Sequence, residues 1–384
     1  MDGGAVMDGY LKTYKLKFRT IGPVFIGSGN KIGKKEYIKA GNIAYVPDIM
    51  KMYDGLKRMK LNESFESFYL DGKKYRNSLS EWMRGNNIQK RDYEPWISYS
   101  LDFAAVESDG RPPHEIMTFI KDAYGQPYVP GSSVKGAIRT ALLSGMLIKK
   151  QAKEDANAVQ TEIDNSRRSK KDNDKKYLSS ETKKLEVKYF NKLERPGTKT
   201  YDAVNDMMSG MIISDSRPLS VDDLILCQKV DLSTDNNESD LPILRECIRP
   251  GVDIECTLTV DASLKKRFGA KGIMAAVNEM AGFYNKVFRS KFEVDDIDAP
   301  QDGIIYLGGG SGYLTKTVTY PLFGEKRGVE NTAEIFRHTM KFADFKKHKH
   351  DNDDKYGISP HMCKITYCDG VPLEFGRCRM SISE

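Results

Sequence analysis

Apolar and basic positions alternate near the start of the chain. In residues 10–26, YLKTYKLKFRTIGPVFI, Leu11, Tyr14, Leu16 and Phe18 interleave with Lys12, Lys15, Lys17 and Arg19, the period of a half-buried strand with a basic face. A glycine-rich loop follows, and then EYIKAGNIAYVPD predicts a hairpin about Ala40-Gly41-Asn42. Residues 48–70 and 74–84 read as helical, with Met50, Tyr53, Leu56 and Met59 at helical spacing. Strand-like alternation returns around EPWISYSLDFAAVE. A long helix is predicted from the serines of YVPGSSVKGAIRTALL, residues 128–143, with Val134, Ala137, Ile138, Ala141 and Leu142 on its apolar face.

Residues 207–215, 221–232 and 254–262 predict further strands. Ile273, Ala276, Val277, Met280, Phe283, Tyr284 and Val287 form one face of an amphipathic helix, and GIIYLG predicts a strand after it. Antiparallel strands with helices on a sheet face make an α+β chain, and we expect a domain boundary near 220, giving units of 8–220 and 221–384. Within the first unit, residues 150–200 change character. The stretch from Arg167 to Lys188 holds nine basic and four acidic residues, which predicts a solvated, partly disordered basic insertion.

The whole chain has 384 residues, 30% of them charged, and a formal net charge of +6. That is a mild bias toward polyanions, so the distribution of charge matters more than its sum. The start of the helix in YVPGSSVKGAIRTALL is oddly charged. Its first turns carry Lys135 and Arg139 and no acid, against the positive end of the helix dipole. A phosphate at the helix start would resolve this, accepting bonds from free N–H groups and pairing with both cations, while Gly136 would let a backbone approach. Ser132 or Ser133 would cap the helix.

Two glycine-rich stretches offer similar chemistry. Gly27-Ser28-Gly29-Asn30-Lys31-Ile32-Gly33-Lys34-Lys35 fails the Walker A spacing, and its Gly33 falls one residue late for a dinucleotide fingerprint. A small-molecule nucleotide enzyme is therefore disfavoured. What is left is a flexible backbone cradle with Lys31, Lys34 and Lys35. In Leu307-Gly308-Gly309-Gly310-Ser311-Gly312-Tyr313-Leu314-Thr315-Lys316-Thr317, the glycines permit close approach, Lys316 and the hydroxyls suit phosphate, and Tyr313 suits base stacking.

Catalytic and metal signals are sparse. The six cysteines, Cys227, Cys247, Cys256, Cys363, Cys368 and Cys378, lack zinc-site spacing and read as reduced, buried thiols. KKHKHDNDDK has residues that could bind a metal but reads as a hydrated loop, and its Asp351, Asp353 and Asp354 lack an EF-hand's spacing, glycine and final Glu; no metal and no cofactor are expected. His114, with a lysine, is the one candidate base for metal-independent cleavage at a ribose 2′-hydroxyl. No long apolar run or signal pattern occurs, so we expect a cytoplasmic protein with no membrane association.

Taken together, IGPVFIGSG with KKEYI, the unbroken Pro130, Gly131, Ser132, Ser133, Lys135, Gly136, Ala137 and Arg139 pattern, and GGGSGYLTKT resemble the RAMP superfamily of CRISPR proteins. Within it the chain is most similar to subunit five of the type III-A Csm complex. The resemblance implies a ferredoxin-like or RRM-like core, β-α-β-β-α-β, with large insertions and a second, degenerate copy. It implies a non-catalytic subunit that binds the 3′ portion of crRNA, caps the backbone filament of subunit three, and serves crRNA maturation and antiviral interference. Other Csm subunits and host trimming nucleases are the further partners it implies. Some members of the superfamily are metal-independent endoribonucleases, which is the alternative for this chain.

Overall fold

The computed structural model describes residues 10–70, 77–103, 115–150, 152–167, 169, 171–261, 264, 268–292, 294 and 302–384. Strand β1 (Leu11–Thr20) is where the alternation places it: Tyr14, Leu16 and Phe18 are buried and the lysines between them are not. It lies inside a five-stranded antiparallel sheet of order β11-β14-β1-β10-β7, with β7 Met211–Ile213, β10 Asp253–Asp261, β11 Ile304–Tyr306 and β14 Arg377–Ser383.

Two helices connect strands of this sheet and pack on each other: α5 (Gly131–Lys150) between β1 and β7 in the chain, and α8 (Ala270–Val287) between β10 and β11. A Cβ at Gly145 would sit 3.4 Å from Ala276, so the glycine sets how closely the two helices meet. Their apolar stripes, Val134, Ile138, Ala141 and Leu142 on α5 and Ile273, Ala276 and Val277 on α8, share one core with Leu16, Phe18, Leu258 and Met380.

The second sheet has nine strands, β2 Gly27–Gly33, β3 Ile38–Ala40, β4 Ile43–Pro47, β5 Ile97–Asp102, β6 Glu115–Phe119, β8 Leu224–Ser233, β9 Glu238–Ile248, β12 Met362–Cys368 and β13 Val371–Glu374, with β2 on its edge. Strands from either side of residue 220 share both sheets. The segment after β4 carries α1 (Ile49–Arg58), α2 (Asn62–Leu70), α3 (Leu79–Gly85) and the short α4 (Lys90–Tyr93), which close a separate small core with Trp96. The helical period there is right but its buried stripe is Met52 and Leu56. Met50 is 70% exposed.

The insertion departs most from expectation. Among its described residues are two helices, α6 (Lys153–Ser166) and α7 (Ser179–Phe190), with turns and irregular backbone at 171–178 and 191–200. Ala156, Val159 and Ile163, then Leu185, Tyr189 and Phe190, recur at helical spacing and bury against the main core, so enough apolar area leaves water to order a lysine-rich sequence. Helix α9 (Thr319–Thr339), broken at Gly324, follows the late glycine segment and packs on α5 and α6.

Candidate nucleic-acid interface

The charge problem at the start of α5 has an internal answer. Gly131 N–H donates to Asp215 Oδ1 at 2.8 Å, so a carboxylate that follows β7 caps the helix, rather than Ser132 or Ser133. Ser133 N–H donates to Pro130 O at 2.9 Å. Lys135 Nζ donates to Met211 O at 2.7 Å, and burial pushes its pKa below the ordinary lysine value. Arg139 reaches Asp206 at 2.7 Å and Glu186 at 3.2 Å, with its guanidinium 4.0 Å from the centre of the Phe190 ring. Three carboxylates thus fill the place where the charge pattern predicts a phosphate. Gly131 is a packing residue: a Cβ there would lie 2.2 Å from Ile213 O.

The outward side of the same helix is different. Ser132 and Gly136, one turn apart, are exposed, and Thr140 follows them half-buried, its Oγ1 donating to Gly136 O at 3.1 Å. A Cβ at Gly136 would meet no atom within 4 Å. This glycine is needed neither for an internal contact nor for a left-handed backbone, and it opens a small-residue strip on the helix surface.

The first glycine segment is a strand, where the sequence predicts a flexible loop. Gly27–Gly33 pairs with β6, with a register shift between Gly27 and Lys31. Ser28 Oγ shares a hydrogen with Thr118 Oγ1 at 2.6 Å, Lys31 pairs with Glu115 at 2.7 Å, and Lys35 Nζ donates to Phe68 O at 2.8 Å. Lys34 O accepts from Leu79 N–H at 2.9 Å. Because β2 is an edge strand, its outer backbone groups still face outward, and Gly29 sits there at φ 90° with open space around it.

The late glycine segment is folded against the protein. Gly309 N–H donates to Phe25 O at 2.6 Å, and Gly308, at φ 71°, has Phe25 O where a Cβ would come to 2.1 Å. Gly310 lies against the Phe375 ring, and Gly312 is half-buried beside Lys364. Ser311 is buried and accepts from Thr315 Oγ1 at 3.0 Å. The Tyr313 ring meets Phe336 edge-on at 5.0 Å and its hydroxyl lies 3.0 Å from that of Thr319, so packing occupies the ring expected to stack on a base. Lys316 alone of this stretch is exposed, and partial burial of its stem lowers its pKa.

These contacts bring the three motifs together. The Phe25–Gly309 bridge joins the first to the third, and a cleft of about 260 Å³ joins the third to α5. Arg139, Thr140, Tyr177, Glu186, Tyr313 and Lys316 are among the groups around it, so the insertion also forms one wall. Sequence reasoning missed Thr140 and the acids Asp206, Asp215 and Glu186, which lie 47–84 positions away from their partners.

His114 lies outside the described residues. The other histidines do not form a general-base site with these motifs. His338 is buried against Tyr177 at 4.3 Å between ring centres. His350 and His361 hold Asp353, with Nδ1 to carboxylate-oxygen distances of 3.1 and 2.5 Å. All three are buried, whereas the rest of 346–355 is exposed apart from the half-buried Asn352, so the hydrated-loop expectation fails only at His350 and Asp353. Burial alone would raise the Asp353 pKa; hydrogen bonds from His350, His361 and Ser359 outweigh it and hold the carboxyl below its usual value. The six cysteines are free, all but Cys368 buried. No helix among the described residues is long and apolar enough to cross a membrane.

The sequence and fold have clear relatives. The RAMP superfamily profile matches residues 17–347. The CRISPR system Cms protein Csm5 of Mycobacterium tuberculosis (strain H37Rv) is 32% identical over 98% of this chain and 99% of its own. The protein of the same description from Streptococcus thermophilus is 34% identical over 83% of this chain and 82% of its own. Among solved structures, a chain of a Csm-crRNA-target RNA ternary complex of a type III-A CRISPR-Cas system superposes with a TM-score of 0.62 at 20% identity, covering 96% of this chain and all of that one. The crystal structure of T. onnurineus Csm5 gives 0.60 at 21%, covering 94% and 99%. The chain therefore belongs to the RAMP superfamily, and its full-length relatives within it are Csm5 proteins.

Proposed function

We propose that this chain is a non-catalytic RNA-binding subunit of a type III-A Csm ribonucleoprotein. It holds the 3′ portion of crRNA, caps the backbone filament of subunit three, and serves crRNA maturation, with host trimming nucleases as transient partners. The observation that carries the reading is the linkage of the three motifs, the first to the third by the Phe25–Gly309 bridge and the third to α5 by the cleft, with Ser132, Gly136 and Lys316 exposed. Small side chains there admit a sugar-phosphate backbone. Hydroxyls, edge N–H groups and Lys316 supply the donors, with no base-reading set, so contact is to backbone rather than to sequence. Lys135 and Arg139 shape this surface from beneath, with their side chains taken up by Met211 O and by Asp206 and Glu186.

The order of elements supports a ferredoxin-like, or RRM-like, reading of the first sheet. β1, α5, β7, β10, α8 and β14 follow one another as β-α-β-β-α-β, and the four strands lie in the order β14-β1-β10-β7, all antiparallel. We read the nine-stranded sheet as the degenerate second copy.

The test is binding and cleavage of fluorescent RNA by the purified chain across a salt series. The reading expects similar affinity for unrelated sequences, affinity that falls steeply with salt, and intact RNA after prolonged incubation. Cleavage of repeat-containing RNA by the chain alone, abolished by His114→Ala, would replace it with the endoribonuclease alternative.

A further inference from the structure

We propose that His350 Nδ1, His361 Nδ1 and a carboxylate oxygen of Asp353 bind one divalent transition-metal ion of the zinc class, which fastens the C-terminal segment to α9. The three side chains come from a short turn, the start of the next helix and the residue before β12. Their donor atoms all lie within 4.8 Å of one another, and all three residues are buried. In a tetrahedral zinc site neighbouring ligand atoms stand roughly 3.3 Å apart. His350 Nδ1 lies 3.1 Å from Asp353 Oδ2 and His361 Nδ1 lies 2.5 Å from Oδ1, so a turn of the carboxylate and a small opening would set one oxygen and both nitrogens around an ion. Two imidazoles with one carboxylate favour zinc and its neighbours over calcium or magnesium, which take oxygen donors.

Two further features ask for an ion. Asp353 is fully buried, and the ion partners it has are these two imidazoles, each charged only when protonated. A buried carboxylate is stable when paired with a cation or bound to a metal. Residues 346–357, KKHKHDNDDKYG, contain one large apolar side chain, Tyr356, so hydrophobic burial does little to hold the segment in place. Metal binding supplies folding free energy to such a sequence.

The surroundings are those of a metal ligand set. Ser359 Oγ donates to Asp353 Oδ2 at 2.5 Å, and Ser359 is in turn locked to Tyr320 of α9, N–H to hydroxyl and hydroxyl to C=O, both at 2.9 Å. Tyr356 stacks on His361 at 4.7 Å, and Phe336 lies 4.8 Å from His350, so aromatic rings screen the group from water. Phe336 lies between His350 and Tyr313 of the cleft, but none of the three ligand residues lines that cleft, and the ion would bind whether or not the cleft holds RNA.

The test uses the full chain, purified without a histidine tag or chelator. Elemental analysis should find close to one equivalent of zinc, falling several-fold in His361→Ala. Chelation should lower Tm, and added zinc should restore it. Should the variant fail to fold, cobalt decides: the chelated wild-type chain given Co²⁺ should develop the visible absorption of a low-coordinate site. A wild-type chain without stoichiometric transition metal, whose Tm ignores zinc and which gives no cobalt spectrum, overturns the proposal. So does a folded His361→Ala that keeps its metal.

Discussion

Gly136 condenses the relation between chemistry and stability in this molecule. It occupies an exposed helical position that any residue would fit, and alanine there would favour the helix by about 1 kcal/mol. We expect Gly136→Ala to raise Tm and to weaken RNA binding in the same protein, measured by thermal unfolding and by titration; an unchanged RNA affinity would remove the glycine from the interface. Arg139 and Lys316 divide in the opposite way. Arg139→Ala strips Asp206 and Glu186 of their partner and should cost about 2 kcal/mol in denaturant unfolding. Lys316→Ala should leave stability within about 0.5 kcal/mol. It should weaken binding to all RNA sequences alike and reduce the salt slope by about one. The sequence marked Lys135 and Arg139 as misplaced charges, and that much was legible. It could not reveal Asp206, Asp215 and Glu186 as their answer, because nothing local links those acids to the helix.

At the scale of elements, legibility followed how much apolar pattern each one carries. β1, α5 and α8 have long periodic faces and fold where the pattern predicts. β2 does not: in Gly27–Gly33 only Ile32 is apolar, so a paired edge strand reads as a loop. In the insertion the stripe of Ala156, Val159 and Ile163 was present but diluted by charge. β8 supplies a pH test. Burial, with Lys364 adding to it, lowers the Lys229 pKa to about 8, below that of an unfolded lysine. Above that value the folded chain gives up a proton that the unfolded chain keeps, so this group adds stability as pH rises from about 8 toward the ordinary lysine range. Tm of the wild type relative to Lys229→Met should therefore rise through that window, and a flat or falling difference would contradict the assignment.

For the whole molecule, the decisive contacts cross the sequence. Glu374, buried at the end of β13, accepts from Tyr284 of α8 at 2.8 Å, Tyr306 of β11 at 2.9 Å and Arg289 at 2.9 Å. Removing it takes the carboxylate from a half-buried guanidinium and two buried hydroxyls, so Glu374→Ala should cost about 3–5 kcal/mol and unfold both sheets together. Such pairings, like the return of β14 to lie beside β1, have no signature in a single sequence. The α+β class and the motifs did, and the fold links those motifs through the Phe25–Gly309 bridge and the cleft beside α5, where we propose that RNA lies. The measurement that tests this most directly is ultraviolet crosslinking of crRNA within the reconstituted Csm complex, read by mass spectrometry of the attached peptides. The account expects nucleotides of the crRNA 3′ portion on peptides containing residues 131–140 and 312–318. Crosslinks confined to other surfaces, such as helices α1 to α4, would contradict it.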